Sequence, residues 1–277
     1  MYGIMCQAGG MMLSGGLLGL VIGAVLGLTG AGGGIFAVPA LVFGLGMDMR
    51  AAAPTALMAV GSAAMLGALQ GLRQGLVRYK AAIVLATAGT ITAPLGIRLA
   101  HWLPSRWLNL IFVAVMLVVA YRMFMSSSGV QNDGELPMVQ SGICKVSKET
   151  GRFIWNPRTV TTLGGIGVVS GLFTGMLGIG GGFIIVPALG YFSELRMHSI
   201  VATSLLVIAL LSVVTVFIAS AQGLSLTAAT WAFSAAALAG MAGARLLVPK
   251  ISSTVLQRIF AIACVVVAAM MLTRNIG

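Results

Sequence analysis

Charged side chains are scarce in this chain. Of its 277 residues, 8% are charged and 59% are hydrophobic, and only five are acidic. A water-soluble globular protein carries about 25% charged residues, so this composition excludes a chain that covers itself with water. The composition predicts a protein that lies in a membrane.

Carboxylates are the scarcest charged groups. All five lie outside the long apolar stretches: Asp48, Asp133, Glu135, Glu149 and Glu194. A proton relay or a cation site inside a membrane usually requires a carboxylate there. Its absence disfavours a cation transporter and leaves the energy source of any transport open.

Cysteine and histidine are also rare, with three and two residues. Cys6, Cys144 and Cys264 have neither the spacing of a metal site nor that of a disulfide framework. There is no HExxH motif and no intramembrane pair of histidine and serine. The sequence therefore predicts no catalytic residue, no metal site and no cofactor, and a membrane enzyme is the weakest interpretation.

Apolar residues fill ten segments separated by short polar loops. They are 13–28, 35–46, 51–72, 81–100, 107–124, 160–177, 183–193, 199–221, 226–247 and 254–272. A spanning helix needs about 20 apolar residues, which most of these segments approach, whereas 35–46 and 183–193 reach about half that length. The pattern predicts an all-α, multi-pass membrane protein in contact with the lipid bilayer.

The two halves of the chain repeat one another at an offset of 148 residues. The segment GAVLGLTGAGGGIFAVPAL, residues 23–41, returns as GLFTGMLGIGGGFIIVPAL at 171–189. Duplicated halves with helices interrupted at matching positions are typical of transporters whose binding site lies between two inverted repeats. We predict a first transmembrane repeat at 1–125, a polar cytoplasmic linker at 126–158 and a second repeat at 159–277.

The basic residues test this topology. If 13–28 and 35–46 form a hairpin whose tip is the glycine run, one side of the membrane holds 12 Lys and Arg residues and the other holds four. Cytoplasmic loops carry such an excess, so the hairpin arrangement is favoured over one long first helix. Each half then makes an odd number of crossings, and the second half is inverted. The net charge of +11 is assigned to these loops rather than to nucleic-acid binding.

The glycine runs are the predicted binding elements. Non-helical backbone at membrane depth is tolerated only where it is buried in protein or lines a wet cavity. A short helix is predicted to begin after each run, at Ile35 and Phe183, and its N-terminal N–H groups attract negative charge. Glycine also lets an anion approach the backbone closely. The candidate residues of the runs are Gly30, Gly32, Gly33, Gly34 and Pro39, with Gly178, Gly180, Gly181, Gly182 and Pro187.

Polar residues near the next span complete the candidate set. They are Thr55 and Gln74 in the first half, and Thr203, Ser204 and Gln222 in the second. A hydroxyl here either donates to an anion or bonds back to a carbonyl of its own helix, and the glutamines either bind or cap a helix end. A tight hairpin packed by glycines, without any ligand, is the alternative interpretation of the runs themselves.

These motifs resemble the sulfite exporter TauE/SafE family of bacterial membrane proteins. The resemblance rests on GLTGAGGGIFAVPAL and GMLGIGGGFIIVPAL, each followed some sixteen residues after its proline by a threonine. It implies a multi-pass protein of the bacterial inner membrane that moves a small anion, such as sulfite or an organosulfonate, usually outward. It also implies that the candidate glycines, prolines and threonines form the binding elements.

Two other functions stay open. An anion channel would share the predicted site but would need no alternating gate. A membrane scaffold would instead use the basic linker to recruit a partner. The sequence does not decide whether copies of the chain assemble into a homo-oligomer.

Overall fold

The structure is a computed structural model that describes residues 2–29, 33–128, 156–193, 195, 197–221, 228–247 and 253–276. The first half contains α1 (Tyr2–Thr29), a 3₁₀ turn (Gly33–Phe36), α2 (Ala37–Gly44), α3 (Met49–Arg73), α4 (Tyr79–Trp102) and α5 (Ser105–Ser128). The second contains α6 (Pro157–Leu177), α7 (Gly182–Phe192), α8 (Met197–Ala221), α9 (Ala228–Leu247) and α10 (Ser253–Ile276). Most of the predicted linker lies outside the described residues.

The predicted all-α membrane architecture is confirmed. Four of the described helices are long and apolar enough to cross a bilayer: α3, α4, α6 and, from His198, α8. The two segments predicted to be half-length are short here as well, as the 3₁₀ turn with α2 and as α7. Local signals set several ends: the Asp48 side chain accepts from the Arg50 N–H at the start of α3, and Pro157 opens α6.

The chain folds back on itself after α1, as the hairpin arrangement requires. Gly33 lies against the backbone of Leu26, and Gly44 lies against the side chain of Leu18. As the residue number rises from 33 to 44, the residue contacted on α1 falls from 26 to 18, so the two segments are antiparallel. A single long helix over 13–46 is therefore excluded.

Helices of one half pack chiefly on helices of the other. The most extensive pairs are α1 with α9, α4 with α6, α3 with α8 and α5 with α10. At the repeat offset, α1 corresponds to α6, α3 to α8, α4 to α9 and α5 to α10. A twofold operation that exchanges the halves therefore maps this set of pairs onto itself.

Corresponding helices run in opposite directions. On α3 and α8, Gly61 lies against Ser212 and Gly71 against Ala202, so the two helices are antiparallel. By contrast α4 and α6 are parallel, because Gly171 lies against Gly89 and Gly175 against Ala93. An inverted repeat gives this combination, whereas two halves of equal orientation would make α3 and α8 parallel.

Candidate functional site at the two glycine breaks

The two glycine breaks adjoin in the interior of the molecule. A Cβ atom built on Gly34 would lie 3.0 Å from the carbonyl oxygen of Ile179 and 3.0 Å from Cγ1 of Val60. A Cβ atom built on Gly180 would lie 3.0 Å from Cγ2 of Ile208. The breaks thus meet between α3, which carries Val60, and α8, which carries Ile208. The described residues 33–38 and 174–183 are all buried.

Three glycines of the second break adopt left-handed backbone angles. Gly178, Gly180 and Gly181 have φ values of 73°, 81° and 69°. Such angles cost little only for glycine, which explains why the run is glycine-rich. Gly178 ends α6, where its N–H donates to the Thr174 carbonyl at 3.0 Å. Gly181 is the residue immediately before α7.

The start of α7 leaves backbone donors outside the helical ladder. The N–H groups of Ile184 and Ile185 donate to the Gly181 carbonyl at 3.0 Å and 3.1 Å. The earlier N–H groups of Gly182 and Phe183 have no carbonyl one turn back within the helix. This end of α7 therefore presents partial positive charge inside the protein, without any cationic side chain.

The first break is built differently. Gly30 and Gly32 lie outside the described residues, while Gly33 and Gly34 begin a 3₁₀ turn rather than the predicted helix at Ile35. A 3₁₀ turn is a common way for a helix to begin. Counted from Gly33, Pro39 is the seventh residue of its helical segment, and Pro187 is the sixth residue of α7. Neither proline has an N–H, so each leaves a carbonyl one turn earlier without its helical donor.

Two hydroxyls that the sequence analysis did not select lie against the second break. Ser170 and Thr174, both on α6, are fully buried, and a Cβ on Gly181 would meet Ser170 Oγ and come within 2.7 Å of Thr174 Oγ1. Ser170 Oγ donates to the Gly181 carbonyl at 3.4 Å, and Thr174 Oγ1 donates to the Ser170 carbonyl at 2.7 Å.

A comparison of the two repeats distinguishes Ser170 and Thr174 from their counterparts. At the offset of 148 residues, Ser170 and Thr174 correspond to Ile22 and Leu26. Two hydroxyls one helical turn apart replace two apolar residues directly before the second glycine run. The second break is therefore the more polar of the two.

The predicted hydroxyl ligands bond back to their own helices in this structure. Thr55 Oγ1 donates to the Ala51 carbonyl at 3.0 Å and Ser204 Oγ to the Val201 carbonyl at 2.8 Å. Thr203 Oγ1 donates to the Ser199 carbonyl at 2.6 Å and accepts from the Arg78 N–H at 3.0 Å. These bonds correspond to the second of the two roles that the sequence leaves open for such side chains.

The two glutamines are not brought to the breaks. Gln74 is exposed at the C-terminal end of α3, and its backbone N–H donates to the Gln70 carbonyl at 3.0 Å. Its counterpart Gln222 lies outside the described residues. The structure thus places Gln74 at a helix end.

Three buried side-chain atoms in the described part of the chain lack a hydrogen-bond partner: Arg78 Nε, Asn109 Oδ1 and Ser212 Oγ. Ser212 lies where α8 crosses α3 at Gly61. Asn109 lines, together with Asp48, a cavity of about 270 Å³ at the end of α2. Buried polar groups are usually paired, so these three atoms are exceptions among the described residues.

Comparison with known proteins agrees with this architecture. The family described as Sulfite exporter TauE/SafE matches residues 16–271. A probable membrane transporter protein of Xylella fastidiosa (strain 9a5c) is 26% identical over 260 residues, covering 93% of each chain. The probable membrane transporter protein YjnA of Bacillus subtilis (strain 168) is 27% identical over 199 residues, covering 68% of this chain and 71% of its own.

No solved structure shows significant similarity to this chain. The family match nevertheless extends over nearly the whole sequence and includes both glycine breaks. The protein is a multi-pass membrane transporter, and it belongs to the sulfite exporter TauE/SafE family.

Proposed function

We propose that this protein exports a small oxyanion, sulfite or an organosulfonate, across the bacterial inner membrane. The observation that carries the proposal is the meeting of two glycine breaks in the interior, one of them lined by Ser170 and Thr174. The relatives with similar sequences are bacterial and are named as probable membrane transporters. The family description supplies sulfite as the first substrate to test.

The chemistry of the second break suits an oxyanion. The N-terminal end of α7 offers N–H donors and partial positive charge. The two α6 hydroxyls donate to the Gly181 and Ser170 carbonyls in this structure and become donors to a ligand when they rotate. In a site shielded from water these dipoles act more strongly than they would at a surface. A small anion is thereby favoured over a cation, which would meet the same dipoles unfavourably.

The packing around the breaks supports a transporter with a closed state rather than an open channel. Residues 33–38 and 174–183 are buried, and side-chain atoms of Val60 and Ile208 lie close to Gly34 and Gly180. An anion reaches this position only if α3 and α8 move apart on one side. Alternating access between the halves provides that movement.

Removal of the Ser170 and Thr174 hydroxyls tests the proposed anion site without changing any glycine. Ser170→Ala and Thr174→Val, in full-length protein reconstituted in liposomes, are each expected to raise the KM for sulfite flux several-fold. The reason is that each loses one donor to the anion, worth about 1 kcal/mol. Thr174→Ser, which keeps the hydroxyl, is expected to transport like the wild type.

A matched control lies on the same helix. Thr161 is exposed near the start of α6 and bonds to the carbonyl of Pro157, so Thr161→Val removes a hydroxyl far from the break. Its KM should stay at the wild-type value.

Wild-type liposomes without saturable flux of sulfite, sulfoacetate or thiosulfate would refute the proposed function. Unsaturable flux with single-channel currents would instead identify a channel.

A further inference from the structure

Arg78 is fixed at one end of the contact between α3 and α8. It lies in the loop between α3 and α4, and its backbone N–H donates to Thr203 Oγ1 of α8 at 3.0 Å. This bond joins residues 125 positions apart and therefore connects the loop of the first half to a helix of the second. Any movement that separates α3 from α8 on this side must involve this contact.

The guanidinium of Arg78 lacks an acceptor at its inner nitrogen. Nε is buried without a hydrogen-bond partner, although the residue as a whole is partly exposed. The inner nitrogen of a cationic side chain is therefore shielded from solvent at this position. Leaving a charged donor unpaired is costly, and an oxyanion can accept from Nε and a terminal nitrogen together.

The protein itself provides no carboxylate for this arginine in the described part of the chain. Asp48 is the one acidic residue there, and it precedes α3 while Arg78 follows it. The 25 residues of α3 separate them by roughly 37 Å at 1.5 Å per residue. Within the described residues, Arg78 Nε therefore has no carboxylate partner.

The arginine occurs in only one of the two repeats. At the offset of 148 residues, Gln74, Gly75 and Leu76 have identical counterparts, but Arg78 corresponds to Leu226. Because the halves are inverted, the end of α8 and the start of α9, which flank this position in the sequence, lie at the opposite end of the molecule. The arginine therefore occurs at one end of the α3–α8 contact and has no counterpart in the sequence of the other repeat.

The side that carries Arg78 is the basic side. Since α4 and α6 are parallel, Arg78 before α4 lies on the same side as Arg158 at the start of α6, where the basic linker ends. Positively charged loops face the cytoplasm in membrane proteins. Arg78 is then placed to meet an anion that enters from the cytoplasm.

We propose that Arg78 binds the oxyanion at the cytoplasmic mouth and passes it toward the glycine breaks. The inference rests on the proposed function and deepens it, because it assigns the residue that receives the substrate on the side from which export begins. Thr203 then acts by holding the Arg78 backbone, rather than by touching the anion.

The test compares Arg78 with Arg73, the last residue of α3. Arg73, at the end of α3, is exposed, so Arg73→Gln makes the same change in charge without removing a buried donor. In liposomes that contain the full-length protein, Arg78→Gln is expected to raise the KM for sulfite about tenfold or more, with kcat within about twofold. Arg73→Gln should leave KM within about twofold, as expected for an exposed charge in salt. Arg78→Lys should lie between Arg78→Gln and the wild type, because it keeps the charge but not the fork of donors.

The protection of each purified variant by sulfite against thermal unfolding is a second measurement. Wild type and Arg73→Gln should gain stability at sulfite concentrations that leave Arg78→Gln unchanged. A wild-type KM for Arg78→Gln, or an equal rise for Arg73→Gln, would overturn the assignment of Arg78 while leaving the transport function intact. Absence of anion flux in the wild type would refute the proposed function and this inference with it.

Discussion

Gly164, Gly75 and Gly181 differ in backbone angle and in surrounding space. Gly164 is helical within α6, and nothing lies within 4 Å of a Cβ built on it. Gly75 has a φ of 68° in open space. Gly181 has nearly the same φ, 69°, but a Cβ there would come closer to the Ser170 hydroxyl than van der Waals contact allows. Substitution by alanine therefore separates strain from steric overlap.

We expect three different effects from the alanine variants. Gly164→Ala should be neutral or stabilise by up to about 1 kcal/mol, since alanine favours a helix. Gly75→Ala should cost about 1 kcal/mol for its left-handed angle. Gly181→Ala should cost clearly more, because Ser170 must also move. Thermal unfolding in detergent measures the order, and equal losses for Gly75→Ala and Gly181→Ala would show that Ser170 yields without cost.

The pairs of helices that join the halves depend on small residues at their contacts. Along α4 and α6, Gly171 lies against Gly89 and Gly175 against Ala93, while α1 and α9 meet through Gly23 and Ala237. Helices in a membrane gain no hydrophobic energy by associating, so close packing of small residues provides the attraction. The high glycine content thus serves the contacts between helices as well as the breaks.

A comparison within α6 tests this packing. Gly171→Leu is expected to force α6 away from α4, because a Cβ on Gly171 already meets the Gly89 backbone. Gly165→Leu, six residues earlier on the same helix, is exposed and has open space around it. Size-exclusion chromatography and thermal unfolding should show loss of folded protein for Gly171→Leu alone. A folded, active Gly171→Leu protein would contradict the proposed role of the α4–α6 contact.

The helices themselves could largely be predicted from the sequence, because apolar length and polar loops determine them. The hairpin after Thr29 followed from the half-length of segment 35–46 together with the distribution of basic residues. Pairing between halves could not be predicted this way, since hydropathy does not say which small faces meet. The hydroxyls of Ser170 and Thr174 were missed because they precede the second glycine run at positions where the first repeat has Ile22 and Leu26, so the shared motif does not include them.

At the scale of the whole molecule, inversion explains how one duplicated unit gives two sides of different character. The ends of α3 and α8 occupy corresponding positions in the repeats but point to opposite sides of the membrane. The side of Arg73 and Arg78 carries the basic loop of the first half, while its counterpart around residue 226 has no basic residue. The two sides of the duplicated fold therefore differ in charge.

The inversion also predicts which helix ends a reagent can reach from outside the cell. Gln74 follows α3 and Ser220 is near the end of α8, and both are exposed. In a background without Cys6, Cys144 and Cys264, we expect a membrane-impermeant thiol reagent to label Ser220→Cys in intact cells. Gln74→Cys should react only after the membrane is permeabilised, because the basic side faces the cytoplasm. A permeant reagent that labels both variants provides the control for accessibility. Labelling of both residues from outside would contradict the inverted repeat, whereas exchange of the two results would keep the inversion but place Arg78 at the outer mouth.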